Sequence, residues 1–188
     1  MKKILSFSFI IALIGFNISC KKKEVDKLTE FNIDYTTNLT IPTASMTVSN
    51  PSLTPITVEF TTPNVPTQQA TKFSEAGTAQ NLIDKIVMTR FNISATGSGT
   101  TTPTLDYLNS INIYIKASGV GEAMIAGKSN IPDGISSVAM DLQDVNIKEY
   151  IFKDNIQFRV LATFDATTPT NQTLKMDETV HVSAKLLK

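Results

Sequence analysis

The chain holds one cysteine, one histidine and no tryptophan in 188 residues. A lone cysteine excludes an intrachain disulfide, a CxxC redox pair and a cysteine-clustered zinc site. A lone imidazole, His181, excludes an HExxH zinc protease and every centre built on two histidines. Glycine and proline, eight of each, are too few for a collagen-like or low-complexity chain. The most apolar stretch, Ile4 to Phe16, is shorter than the ~20 residues a membrane-spanning helix needs. Charged residues make up 18%, below the usual quarter or so. Threonine fills the gap with 25 residues, and threonine favours strands. With 41% hydrophobic residues the chain has enough apolar side chains for a core, and its length suits one domain or two small ones.

The start of the chain reads as a processing segment. Lys2 and Lys3 precede the apolar run, which has the length of the hydrophobic region of a secretory signal. The run closes on Asn17-Ile18-Ser19-Cys20, directly before Lys21-Lys22-Lys23. This junction resembles bacterial lipoprotein signals, in which a small residue precedes the cysteine that becomes acylated. Ser19 and Cys20 match the pattern, whereas Asn17 stands where leucine is usual. The resemblance implies lipid attachment at Cys20, with the membrane as a partner. Residues 1–19 would be signal, 20–30 a charged tether and 31–188 a single domain. Lysine rather than aspartate after the cysteine disfavours, by the same resemblance, retention at the inner membrane. The expected location is therefore the cell envelope, at the outer membrane. The plainer readings are a signal peptide with an incidental cysteine, or a short uncleaved anchor.

Beyond the lysine cluster the charge changes sign. Residues 24–188 carry 12 basic and 17 acidic side chains, a net of −5. An acidic body argues against nucleic acid as a partner, since that needs a basic face.

From Phe31 onward the hydrophobic period is two. Phe31, Ile33, Tyr35, Leu39 and Ile41 alternate with polar residues, then Met46 and Val48 lead to a turn at Asn50-Pro51. Ile56, Val58 and Phe60 make another strand. Residues 61–81 are rich in proline and threonine, with Thr78 placed to cap a short helical turn through Leu82 and Ile83. Lys85 to Ala95 is a strand with Ile86 and Met88 on one face and Val87, Phe91 and Ile93 on the other. Leu105, Tyr107 and Leu108 suggest a helical turn plugging one end. Ile111, Ile113 and Ile115 give the clearest half-buried strand, and Ala123 to Gly127 a short edge strand. Val138, Met140 and Leu142 follow as one strand, and Asn146 to Lys153 as a helix with Ile147, Tyr150 and Ile151 on one face. The chain ends in two long alternating segments, Ile156 to Phe164 and Leu174 to Leu186, which read as a hairpin. Eight or nine strands with no long helix predict an all-β fold. The expected architecture is an antiparallel β-sandwich of immunoglobulin-like or Greek-key type, with one or two short helical turns.

The "SCKK" junction and the pattern "LDYLNSINIYI…MIAGKSNIP…NIKEYIFKDNIQFRV" are similar to uncharacterised β-sandwich lipoproteins of Gram-negative bacteria. That resemblance spans most of the chain and implies a fold and a location, with no activity attached. A fainter similarity at Val48-Ser49-Asn50-Pro51 points to desiccation-related β-sandwich domains, although an Asn-Pro pair is usually only a turn.

Sites of chemistry are sparse. His181 lies between Val180 and Val182 on the polar parity of its strand, which suits a solvent-facing residue better than a catalytic base. Asp177 and Glu178 are neighbours on a strand and must point to opposite faces. Glu178 falls on the apolar parity between Met176 and Val180, so a bulge turns it outward, the pairing loosens there, or the acid is buried for a purpose. Asp133, Asp141 and Asp144 supply oxygens, but no DxDxDG calcium loop surrounds them. Tyr114, on the polar side of its strand, is the one aromatic placed to meet a ligand, and cross-strand packing is its plainer role. No catalytic, metal or cofactor site is expected.

The leading expectation is a lipid-anchored envelope lipoprotein that is no enzyme and acts as a binding or structural module. Its partner would be an envelope protein met through the end loops 96–104 and 165–173. The alternative is a carrier with an apolar ligand between its sheets, and the third reading an enzyme. Bulky inward candidates, Ile111, Ile113, Ile115, Phe158, Val160, Phe164, Val180, Val182 and Leu186, predict a filled interior rather than a cargo cavity.

Overall fold

The computed structural model describes residues 30–41, 55–97, 102–165 and 172–184. Along the chain come β1 (Glu30–Thr40), β2 (Ile56–Thr61), β3 (Val65–Pro66), α1 (Gln69–Glu75) and a 3-10 turn at Gln80–Leu82. Then follow β4 (Ile83–Thr96), β5 (Leu108–Ala117), β6 (Val120–Lys128), β7 (Ser137–Ala139), β8 (Asp141–Leu142), α2 (Lys148–Ile151), β9 (Asn155–Phe164) and β10 (Thr173–Ala184). They form an antiparallel β-sandwich. One sheet has the order β1-β10-β4-β7, and the other β2-β9-β5-β6-β8, with β3 also on β9. The expected strand at Met46 and Val48, Leu186 and most of the two end loops lie outside the described residues.

Each long strand buries one parity. Ile111, Ile113 and Ile115 of β5 and Ile156, Phe158, Val160, Ala162 and Phe164 of β9 face inward. Leu174, Met176, Val180 and Val182 of β10 meet them from the other sheet. Phe91 of β4 contacts Phe158 of β9 edge to face, with ring centroids 5.8 Å apart, so the two sheets interdigitate.

The last two strands do not form a hairpin. β9 pairs with β2 and β5 in one sheet, while β10 pairs with β1 and β4 in the other. Both carry a continuous apolar row, and placing them in opposite sheets lets the rows cover one another. Similarly, Val138, Met140 and Leu142 are not one strand. β7 pairs with β4 and β8 with β6, so this segment crosses from sheet to sheet with Met140 buried at the crossing.

The two-faced appearance of β4 has a local cause. Val180 pairs with Met88 and Thr179 with Arg90, so Thr89 is an extra residue in the ladder. A bulge reverses the parity of the strand beyond it. Ile86 and Met88 before it, and Phe91 and Ile93 after it, therefore all face the core, and only Val87 faces out.

The helical turns depart from expectation in detail. Residues 61–81 contain α1, whose single buried side chain, Phe73, packs edge to face on Phe31 and Phe152. Ala70 and Phe73 as the only apolar residues in seven are too weak a periodic signal to announce a helix. The 3-10 turn is preceded by Ala79 with no side-chain cap, so Thr78 does not cap it. Leu105, Tyr107 and Leu108 are buried but form a turn closed by Leu108 N–H donating to Leu105 O.

Candidate functional site

Two features stand out from the packed sandwich: an acid inside it and a charged face outside it. Glu178 of β10 is fully buried. No bulge turns it outward, because the extra residue sits on β4 and β10 keeps its parity. Glu178 stands between Tyr35 of β1 and Phe91 of β4, its register partners on either side. Among the described residues neither carboxyl oxygen has a hydrogen-bond partner, and nor does the buried Thr37 hydroxyl. Burial pushes the Glu178 carboxyl up to about 8, and the charge of Asp177 adds to the shift. The group is thus a neutral acid near pH 7. Tyr35, raised mainly by burial and then by Glu178, is spent in donating its hydroxyl to Thr67 O at 3.0 Å.

The expected surface residues fall as their parity requires. Asp177 faces outward, accepts hydrogen bonds from Thr36 and Lys175, and is held below the usual carboxylate range chiefly by Lys175. His181 Nδ1 lies 3.0 Å from Asn32 Oδ1 on the outer face of its sheet. Asp141 pairs with Lys128 and Asp144 with Lys85. Among the described residues no three histidines, cysteines, aspartates or glutamates gather as metal ligands.

The outer face of the larger sheet is more organised. Tyr114 of β5 is the register partner of Arg159 of β9, and the guanidinium lies 4.1 Å from the tyrosine ring centroid. Arg159 Nε donates to Glu122 Oε2 at 2.7 Å, Nη2 to Glu122 Oε1, and Nη1 to Glu59 Oε2 at 3.2 Å. This bidentate clamp lowers the Glu122 carboxyl, through the hydrogen bond first and the charges of Arg159 and Lys116 after it. Tyr114 therefore packs across the strands under a cation.

Beside this clamp lies a cleft of about 390 Å³, lined by Asn64, Lys116, Ala117, Ser118, Asn155, Ile156 and Gln157. Lys116 and Gln157 are register partners one step along from Tyr114 and Arg159 on the same face. Ser118 enters through the β5–β6 turn, which Gly119 makes possible with φ of 73°. The lysine is 42% exposed, and its ion-pair neighbour, Glu122 Oε2, stands 3.9 Å away while already accepting from Arg159. Gln157 Nε2 reaches Thr62 O at 3.4 Å. The side chains of Asn64, Ser118 and Asn155 make no hydrogen bond to a described residue. The lining holds three amides, one hydroxyl and one cation, with no carboxylate.

Two other clefts are plainer. One of about 290 Å³ beside Asn112, Met124 and Gln143 contains the Lys128–Asp141 pair, which is internally neutral at 2.9 Å. The other, about 250 Å³, lies along the start of α1 from Pro66 to Thr71. Sequence reasoning singled out Tyr114 but missed Lys116, Glu122 and Arg159. Their outward parity was visible, but what joins them is strand order and register.

No protein-family model matches this chain, and no curated protein does. Solved structures that resemble it include one titled Desmodium yellow mottle tymovirus, with a TM-score of 0.33 and 11% identity over 85% of this chain and 83% of that one. Another, titled the three-dimensional structure of Cocksfoot mottle virus, has a TM-score of 0.29 and 9% identity over 100% of this chain and 95% of that one. These titles name plant viruses, not an enzyme and not the Gram-negative β-sandwich lipoproteins that the sequence resembled. The expected family membership, and with it the reading of the chain as an envelope lipoprotein module or apolar carrier, is therefore corrected. Likeness at this level lends no function to the chain.

Proposed function

We propose that this chain is a binding domain that takes a small hydrophilic ligand, without turning it over, in the Lys116 cleft. The observation that carries the reading is a lysine whose neighbouring carboxylate is already clamped by Arg159, ringed by amides and a hydroxyl with free hydrogen-bonding capacity. A volume of about 390 Å³ lies within the roughly 300–1,000 Å³ of small-molecule sites. Its polar lining selects a polar occupant, since a buried donor or acceptor left unpaired opposes binding. Among the described residues no hydrogen bond joins the Ser118 hydroxyl to Lys116, which favours binding without chemistry. Titrating the ¹⁵N-labelled chain with a mixed set of neutral, anionic and cationic small molecules tests it. Resonance shifts confined to Lys116, Ser118, Asn155 and Gln157 are expected, and a set that moves none of them would remove the reading.

Independently of any lipoprotein family, we also propose from the Ser19-Cys20-Lys21 junction alone that Cys20 is an acylation site tethering the chain to a membrane. Each buried methylene contributes ~0.8 kcal/mol, so more than one acyl chain is needed for a firm anchor. Metabolic labelling with a fatty acid is expected to mark the chain and to fail with Cys20→Ser. Label retained by that variant would place the acyl group elsewhere, and an unlabelled parent would exclude it. The end loops 96–104 and 165–173 remain our proposed surface for an envelope protein.

A further inference from the structure

The geometry points to an acidic sugar, a polyhydroxylated carboxylate of the uronic acid class, as the ligand of the Lys116 cleft. This rests on reading the cleft as a binding site and specifies what it takes. Glu122 makes two hydrogen bonds to Arg159, whose third contact goes to Glu59, so that cluster is closed on itself. Lys116 stands at its margin with 3.9 Å to an oxygen already engaged. An ammonium so placed keeps most of its capacity for a carboxylate, and no acidic side chain in the cleft competes.

The remaining lining specifies the rest of the ligand. Asn64, Asn155 and Gln157 each present a donor and an acceptor in one plane, and Ser118 presents a hydroxyl that does both. Vicinal hydroxyls need that combination, because each hydroxyl donates once and accepts twice. A second carboxylate would find no second cation, and a phosphate would find neither an arginine fork nor a loop of backbone amides. An apolar ligand would leave the amides of Asn64 and Asn155 unpaired. Ala117 and Ile156 give a small apolar floor, sufficient for the C–H face of one ring. The occupant is therefore a monosaccharide-sized carboxylate bearing several hydroxyls.

The test titrates the full chain with D-glucuronate, D-glucose and acetate, following the resonances of the cleft. Glucuronate is expected to bind roughly tenfold more tightly than either comparator, and Lys116→Met to bring it down to the level of glucose. Raising the salt should weaken glucuronate and leave glucose unchanged. Asn155→Ala should weaken both sugars and leave acetate unchanged. Equal binding of glucuronate and glucose would overturn the acidic-sugar assignment while leaving the cleft a binding site. Acetate matching glucuronate would overturn it as well, reducing the cleft to a simple anion site. Silence towards all three would overturn it too, and the mixed-compound titration then shows independently whether the cleft binds anything. Lys116→Met is an outward strand position 42% exposed, so its fold is retained and a lost response is a lost contact.

Discussion

Replacing Glu178 with glutamine should make the protein more stable at neutral and alkaline pH and indifferent to pH across the window where the parent weakens. The carboxyl is pushed up to about 8 in the fold, against 4.5 as its ordinary value. Between those values the folded chain holds a proton that the unfolded chain has released. Stability therefore falls as pH rises through that window, and it is fully present only below about pH 4.5. The shift sets an upper bound of roughly 5 kcal/mol on the loss by pH 8 or so, at about 1.4 kcal/mol per unit. Two other acids titrate with the opposite sign. Glu122 and Asp177 are both lowered, so their contributions are present above their ordinary values and fade only in acid. Urea unfolding at pH 4, 6 and 8 or thereabouts reads the difference. Parent and Glu178→Gln should converge at the acid end and diverge steadily above it. A parent whose stability is level from pH 5 to 8 or so would mean that Glu178 is not held neutral in the core.

The second large effect is expected at Phe158. Its ring is 1% exposed and meets Phe91 edge to face at 5.8 Å, joining the two sheets beside the Glu178 position. Phe158→Ala removes apolar area and leaves a cavity that stiff neighbours such as Ile113 and Val160 cannot fill. A loss of about 3–5 kcal/mol is expected, a large share of the stability of one domain. Phe158→Leu should cost roughly half as much or less, because most of the volume returns. Urea midpoints for the two variants provide the check. A cost under about 1 kcal/mol for Phe158→Ala would show that the sheets close over the gap, against the close packing described.

The consequences for the candidate site are asymmetric. Glu178 announced itself, because a charged residue on an apolar parity is a conflict visible without a structure. Its burial could be read as one option among three, and the choice depended on which strand carried the bulge. The extra residue is Thr89 of β4, some ninety positions away, so nothing near Glu178 signalled the answer. The Lys116 cleft gave no such warning. Lysine, asparagine, glutamine and serine on outward positions look like any solvated face until the strands are ordered.

What the sequence by itself determined is the class of fold and the inward rows. Period-two alternation names the face of Ile111 or Val160 from neighbouring residues, because side chains on a strand alternate whatever it pairs with. It likewise decided that Asp177 and Glu178 must part company. What only the tertiary structure decided is which strands are neighbours. β9 and β10 lie in opposite sheets although they follow one another, and β7 and β8 divide a single alternating run between two sheets. Pairing is a long-range choice made by burying whole rows against each other, and local pattern is silent on it. Arg159 reaches Tyr114, Glu122 and Glu59 from three other strands, and the Lys116 cleft forms beside them, only after that choice has been made.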